Sequence, residues 1–342
     1  MIPLRTAPSW PRSGSHRISL IAGAACFALA ATGCAPVQTP TAAAKPVHSA
    51  RLALAAVKRT TDAATKTSST STAAIHPTVA SVRPSYDDIR VVAAAGVRQW
   101  INCQGTGKVT VVVITGLGSA ASGWWKVRSQ FRATTRTCFY DRPGLGHSPV
   151  RANRKQVLDA GLYAHELKAL LTAAREPGPY LILGHSFGGL VARAFAYDYP
   201  AVVRGVLLAE SVDPHTNTGD DWPEAGHIVD MDRSKAATGG GPALGAKPLL
   251  VLSASHPEGD HLGGPTYGQP PALTKQWRAE QHNDTRLSTD SIQVIAPSGH
   301  VLQVDAPAAV TAALRLLVHA MVTGRPLICT RNWATLSSTC RA

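Results

Sequence analysis

Residues 180–189 read Tyr180-Leu181-Ile182-Leu183-Gly184-His185-Ser186-Phe187-Gly188-Gly189, and the sequence on either side is organised around them. An apolar run ends in Gly-x-Ser-x-Gly, and a helical pattern then begins near Leu190 and continues through Ala192, Phe195 and Ala196. A turn that short between a strand and a helix lifts its serine clear of both, and small residues at 184 and 188 let the two elements approach closely. It also leaves backbone N–H groups free at the start of the helix, where developing negative charge is favoured. An ordinary glycine-rich turn with a surface serine has the same pattern, so the flanking sequence has to decide between them.

Outward from this stretch, apolar runs alternate with helical stripes. Segments 90–94 and 97–103, separated by Ala95-Gly96, read as an antiparallel hairpin. Residues 108–115 form a continuous apolar run, as a strand covered on both faces should. Further strands are predicted at 135–140, 202–210, 248–254 and 291–296, with helices through Trp124, Val127 and Phe131 and over 155–175, 272–281 and 306–322. The alternation implies an α/β fold, a mostly parallel sheet of about eight strands with helices on both faces.

The charge of +13 is uneven along the 342 residues. Residues 1–34 hold Arg5, Arg12 and Arg17 without an acid, residues 35–85 hold six Lys or Arg against Asp62, and +5 remains for 86–342. The core lacks the basic stripe with interleaved aromatics that nucleic-acid binding requires. The first 34 residues follow the secretory pattern: a basic start, an apolar run from Ile18 to Ala31, then small residues. Ala31-Thr32-Gly33-Cys34 resembles a bacterial lipobox with Ala31 in the usual leucine position, which makes Cys34 the expected lipidation site and ordinary cleavage and release the alternative. Residues 35–85 are rich in Ala, Thr, Ser, Pro and Lys and read as a tether, too poor in apolar side chains to offset its ordering entropy. The expected location is therefore outside the cytoplasm, with membrane contact only through this anchor. Export permits disulfides, and Cys103, Cys138, Cys329 and Cys340 allow three connectivities. Cys103–Cys138 with Cys329–Cys340 is chosen, because the first two flank strands of one sheet and the last two lie close in the tail. A zinc site is the competing reading, unsupported by any Cys-x-x-Cys or paired-His spacing.

In a sheet of this kind function collects at the carboxyl ends of the strands. Ser186 lies there, as does the loop Gly116-Leu117-Gly118, whose Leu117 N–H could join that of Phe187 in a two-donor oxyanion hole. His300 follows the 291–296 strand in Pro297-Ser298-Gly299-His300 and suits the base that a serine hydroxyl needs.

Residues 86–322 resemble the α/β-hydrolase family through four motifs: Gly184-His185-Ser186-Phe187-Gly188-Gly189, the Thr115-Gly116-Leu117-Gly118 loop, Asp141-Arg142-Pro143-Gly144-Leu145-Gly146-His147-Ser148, and Ser298-Gly299-His300. The resemblance implies a serine hydrolase with Ser186 as nucleophile and His300 as base, working through an acyl-enzyme on an ester or related small acyl substrate without cofactor or metal. Thr115 stands where the family usually has histidine. The family's usual acid position, after the strand at 248–254, holds Ser255-His256-Pro257, with Glu258 and Asp260 arriving late. A minority of the family carries the acid one strand earlier, where Glu210 stands, so Glu210 is the first choice; Asp260, Asp213 and Glu258 are the alternatives. Residues 214–247 occupy the family's lid position and read as a short polar insertion. His185 is expected to support the nucleophile without being the base, and Asp141 to hold its own turn. Two further functions stay open: a binding protein of the same fold that has lost its chemistry, and a cofactor-free lyase or peroxidase using the same serine.

Overall fold

The computed structural model describes residues 88–216, 221–239, 244–256 and 271–342. The expected leader with Cys34 and the expected tether lie outside the described residues, as do Glu258 and Asp260. Val111, Val112, Val113 and Ile114 have no solvent exposure. A strand reaches that state only when both faces are covered, and the whole architecture follows from this layering.

In chain order, β1 (Asp88–Ala94), β2 (Val97–Gln104), β3 (Thr110–Ile114), α1 (Trp125–Thr134) and β4 (Arg136–Tyr140) come first. Then come α2 (Ala160–Ala173), β5 (Tyr180–His185), α3 (Phe187–Asp198) and β6 (Val203–Ala209). An insertion carries β7 (Trp222–Glu224), β8 (His227–Val229) and α4 (Met231–Ala236). The chain continues through β9 (Leu249–Ala254), α5 (Pro271–Asn283), β10 (Ser291–Ala296), α6 (Leu302–Asp305), α7 (Pro307–Thr323), α8 (Asn332–Thr335) and β11 (Thr339–Arg341). Nine strands form one sheet in the order β1-β2-β4-β3-β5-β6-β9-β10-β11. The six strands from β4 to β10 run parallel, and antiparallel strands flank them on both sides.

Alternate residues along each strand feed opposite faces. On one face Val127 and Phe131 of α1 and Leu314 of α7 pack over Val111, Val113 and Leu183. On the other, Leu167 of α2 and Val191 and Phe195 of α3 pack over Val112, Ile182 and Leu208. Each such side chain, fully withdrawn from water, contributes about 1.5–3 kcal/mol. Cys103 stands directly opposite Cys138 in the β2–β4 register and is bonded to it. Cys329 is bonded to Cys340, which fastens β11. Both are the expected pairings.

One local expectation is corrected, and two elements are added to those expected. The helix expected over 155–175 is the shorter α2, capped by the Asp159 carboxylate, which accepts from the Leu162 N–H at 2.9 Å. Leu158 is drawn away from that helix: its N–H donates to Ile228 O at 2.9 Å and its carbonyl accepts from Asp230 N at 2.8 Å. The sheet has a ninth strand, β11, too short and polar to be read from sequence. The polar insertion also contains an ordered hairpin, turned at Ala225-Gly226 with φ of 51° and 79°, the double positive φ that suits a two-residue hairpin loop.

Candidate active site

Ser186 sits between β5 and α3 with φ 54° and ψ −126°, a conformation that a non-glycine residue adopts only when its surroundings enforce it. The enforcement is visible. Its N–H donates to Ala209 O at 3.1 Å, and its carbonyl accepts from Gly189 N at 2.8 Å and Val212 N at 3.1 Å. The turn is thereby tied to the end of β6. A Cβ at position 188 would fall onto the carbonyl oxygens of Ile114 and Thr115, so only glycine lets α3 come this close to β3. Position 116 is similarly restricted, since a Cβ there would stand 3.2 Å from Ser186 Cβ and 3.1 Å from His185 Nδ1.

His300 lies on the loop after β10, partly exposed like Ser186. Its Nδ1 faces Glu210 Oε2 at 3.4 Å. Glu210 has 0% exposure and is also held at positive φ, 46°. Its Oε1 accepts from the Ala254 N–H at 2.6 Å and its Oε2 from the Trp277 indole N–H at 2.9 Å. A carboxylate withdrawn from water needs such donors to offset its lost hydration. Of the two among the four candidate carboxylates that lie in the described residues, Glu210 and Asp213, Glu210 faces His300. Asp213 instead accepts from His215 N at 2.7 Å and lies 3.5 Å from Arg193.

His185 joins the Ser186 turn to the histidine loop. Its Nε2 lies 2.9 Å from the His300 carbonyl oxygen, a contact that requires the proton on Nε2, and its ring stands 5.1 Å from that of His300. Burial, with His300 nearby, lowers its pKa to about 3, so it is neutral and cannot serve as a base near pH 7. Trp124 is buried and meets His185 edge-on at 6.1 Å, whereas Trp125 is 67% exposed. His147 stacks on Trp100 at 5.0 Å. Asp141 holds its own turn as expected, accepting from His147 N at 2.9 Å, and also fastens the loop before α1 through Ala121 N at 2.7 Å.

The N–H groups of Leu117 and Phe187 find no acceptor among the described residues. The loop carrying Leu117 is braced by two buried residues that sequence reading did not single out. Arg142 donates through Nη1 to Thr115 O at 2.7 Å and through Nη2 to Gly116 O at 2.6 Å. Glu224, from β7, pairs with Arg142 at 2.6 Å and 3.0 Å and accepts from Gly118 N at 2.7 Å and the Tyr163 hydroxyl at 2.5 Å. Burial alone would raise the pKa of Glu224, but the charge of Arg142 and these donors outweigh it and hold the carboxyl below its ordinary value. Trp277 was missed as well. Arg142 adjoins Asp141 in a motif already under scrutiny, and that adjacency was the one local signal available. The described residues bring three metal-ligating side chains together only at Cys103, Cys138 and Glu176, where the two sulfurs are bonded to each other.

A family model for the alpha/beta hydrolase fold matches residues 109–296, more than half of the chain, and the chain belongs to that family. Among curated relatives, the uncharacterized protein YbdG of Bacillus subtilis (strain 168) is 29% identical over 122 residues, 35% of this chain and 37% of that protein. A pimeloyl-(acyl-carrier protein) methyl ester esterase of Yersinia pseudotuberculosis is 31% identical over 124 residues, 36% of this chain and 44% of the enzyme. The matched segment thus spans less than half of either relative. Of solved structures, a thermophilic esterase from Thermogutta terrifontis aligns with a TM-score of 0.50 at 19% identity, over 70% of this chain and 100% of that one. An esterase from Rhodococcus sp. ECU1013 aligns with a TM-score of 0.50 at 16% identity, over 68% and 99%. At these identities the likeness is one of fold.

Proposed function

We propose that this chain is an exported serine hydrolase of esterase type, acting on a carboxylic ester or related acyl compound. One observation carries the reading: a wholly buried carboxylate, Glu210, directed at His300 Nδ1 from the strand next to the Ser186 turn. In the reaction His300 Nε2 takes the Ser186 hydroxyl proton as the oxygen attacks the acyl carbon. Glu210 keeps the other ring proton on Nδ1 and stabilises the imidazolium as it forms. The Leu117 and Phe187 N–H groups receive the oxyanion. Collapse of the tetrahedral species returns the His300 proton to the leaving alkoxide and leaves an acyl-Ser186, which water activated by His300 then hydrolyses.

The test is labelling of the folded protein by a fluorophosphonate. Ser186 should be modified, and Ser186→Ala should abolish the reaction; folded wild-type protein that stays unlabelled overturns the reading and leaves a binding protein of this fold. Export rests on the sequence of residues 1–34 and on the two disulfides. If Cys34 carries a lipid, Cys34→Ala moves the protein from the membrane fraction to the medium, and an unchanged distribution sinks the anchor.

A further inference from the structure

The insertion between β6 and β9 occupies the place of a substrate cover, yet one of its side chains leaves the surface altogether. Glu224 ends β7 and is buried with Arg142, itself 1% exposed. As a contribution to stability such a pair is poor, because removing both charges from water costs about as much as their attraction returns. What distinguishes this pair is where its remaining hydrogen bonds go: to Thr115 O, Gly116 O and Gly118 N, all on one turn, with Tyr163 steadying the carboxylate from α2.

The geometry of the peptide group gives this convergence a meaning. Gly116 O and the Leu117 N–H belong to one planar unit, so a donor that fixes the carbonyl also fixes the N–H, which points the opposite way. Arg142 Nη2 holds that carbonyl. The next peptide unit ends in the Gly118 N–H, and Glu224 Oε1 holds that. The two peptide planes on either side of the Leu117 Cα are therefore both held by the Glu224–Arg142 pair, with the Ser119 N–H as a second, longer donor to Gly116 O at 3.1 Å, beside a glycine that abuts Ser186. We propose that Glu224 is a positioning residue of the oxyanion hole, acting through Arg142 and the Gly118 amide to aim the Leu117 N–H. The inference rests on the serine hydrolase reading and adds to it a residue that touches neither substrate nor nucleophile.

The experiment compares wild type, Glu224→Gln and Tyr163→Phe on a p-nitrophenyl ester, with rates expressed per active site counted by exhaustive fluorophosphonate labelling. An alkyl trifluoromethyl ketone, whose hemiketal oxyanion fills the hole, reports on the hole separately. For Glu224→Gln, kcat per labelled site should fall roughly tenfold to a hundredfold, less than outright loss of an oxyanion donor, with KM within about threefold and the ketone's inhibition constant rising in step. A merely structural role would lower the labelled fraction or the melting temperature while leaving kcat per labelled site and the ketone unchanged, and that result overturns the proposal. Should Glu224→Gln fail to fold, Tyr163→Phe decides: a fall of about threefold in kcat per site, matched by the ketone, supports it, and no change in either overturns it. Wild-type protein that is not labelled overturns the underlying reading instead, an outcome distinct from a labelled variant with unchanged kcat.

Discussion

Glu210 and Glu224 are both carboxylates buried at the carboxyl edge of the sheet, and they differ in the company they keep. Glu224 has a permanent cation, Arg142, together with a phenol and a backbone N–H. Glu210 has two neutral donors, the Ala254 N–H and the Trp277 indole, and its ionisable neighbour is an imidazole. A carboxylate already neutralised by a guanidinium has little left to offer a charge that forms later, so its influence is on geometry. One held by neutral dipoles keeps its negative potential, which in the proposed reaction would meet a positive His300. The sequence contrast is modest, since each is a lone Glu near the end of a strand, and the division of labour is set by neighbours far away in the chain.

Several measurements would break or sharpen this contrast. The largest effect is expected at Glu210: Glu210→Gln should leave the protein folded and lower turnover by up to about ten-thousandfold, the scale seen when a triad acid is neutralised. Asp213→Asn and Asp260→Asn should change it little, and a large loss at Asp260 with near-normal turnover in Glu210→Gln would return the acid to its usual place in the family. Stability should rank the two glutamates the other way. Glu224→Ala leaves Arg142 buried without its partner and should cost about 3–5 kcal/mol in urea unfolding, whereas the glutamine of Glu210→Gln keeps an acceptor for one of the Ala254 and Trp277 N–H groups and loses the other, at a cost of about 1–3 kcal/mol.

A smaller effect is expected at Trp277. Its indole shares Glu210 Oε2 with His300, so Trp277→Phe removes a hydrogen bond to a charged group, worth about 1.5 kcal/mol or roughly tenfold in kcat. The loss should appear in kcat and not in KM, because the indole fixes the carboxylate oxygen that faces His300; an unmoved kcat would mean that the indole only packs. A different kind of effect, on stability alone, concerns His185, whose pKa falls from 6.5 to about 3 in the folded protein. The unfolded chain takes up a proton below about pH 6.5 that the folded one refuses, so stability is complete above that pH and declines as pH falls toward 3. The slope should reach at most about 1.4 kcal/mol per pH unit and should flatten in His185→Asn, as unfolding at pH 7 and pH 5 can measure.

The sequence carried what is local. Ser186 and His300 sit in short motifs whose chemistry is spelled out by adjacent residues, and seven of the sheet's strands in addition to β5 announce themselves as apolar runs. The acid was harder, because choosing among Glu210, Asp213, Glu258 and Asp260 requires knowing which strand end faces the histidine, and no local pattern encodes that. Arg142 and Glu224 were out of reach for a related reason. They lie 82 residues apart, and the pairing exists only because a hairpin inside a polar insertion folds back over the loop after β3. The helix expected at 155 failed where a tertiary contact, Leu158 against β8, outweighed propensity.

Both Ser186 and Glu210 hold a positive φ that glycine would accept freely, at a cost of about 1–3 kcal/mol each. Ser186→Gly removes that cost together with the proposed nucleophile and should tolerate heat better than the parent chain, whereas Glu210→Gly would also orphan the buried Ala254 and Trp277 N–H groups. A copy released from selection on that serine would then have one downhill route to becoming a sturdier, silent protein. Glycine at position 186 in a related sequence would record that such a release had taken place.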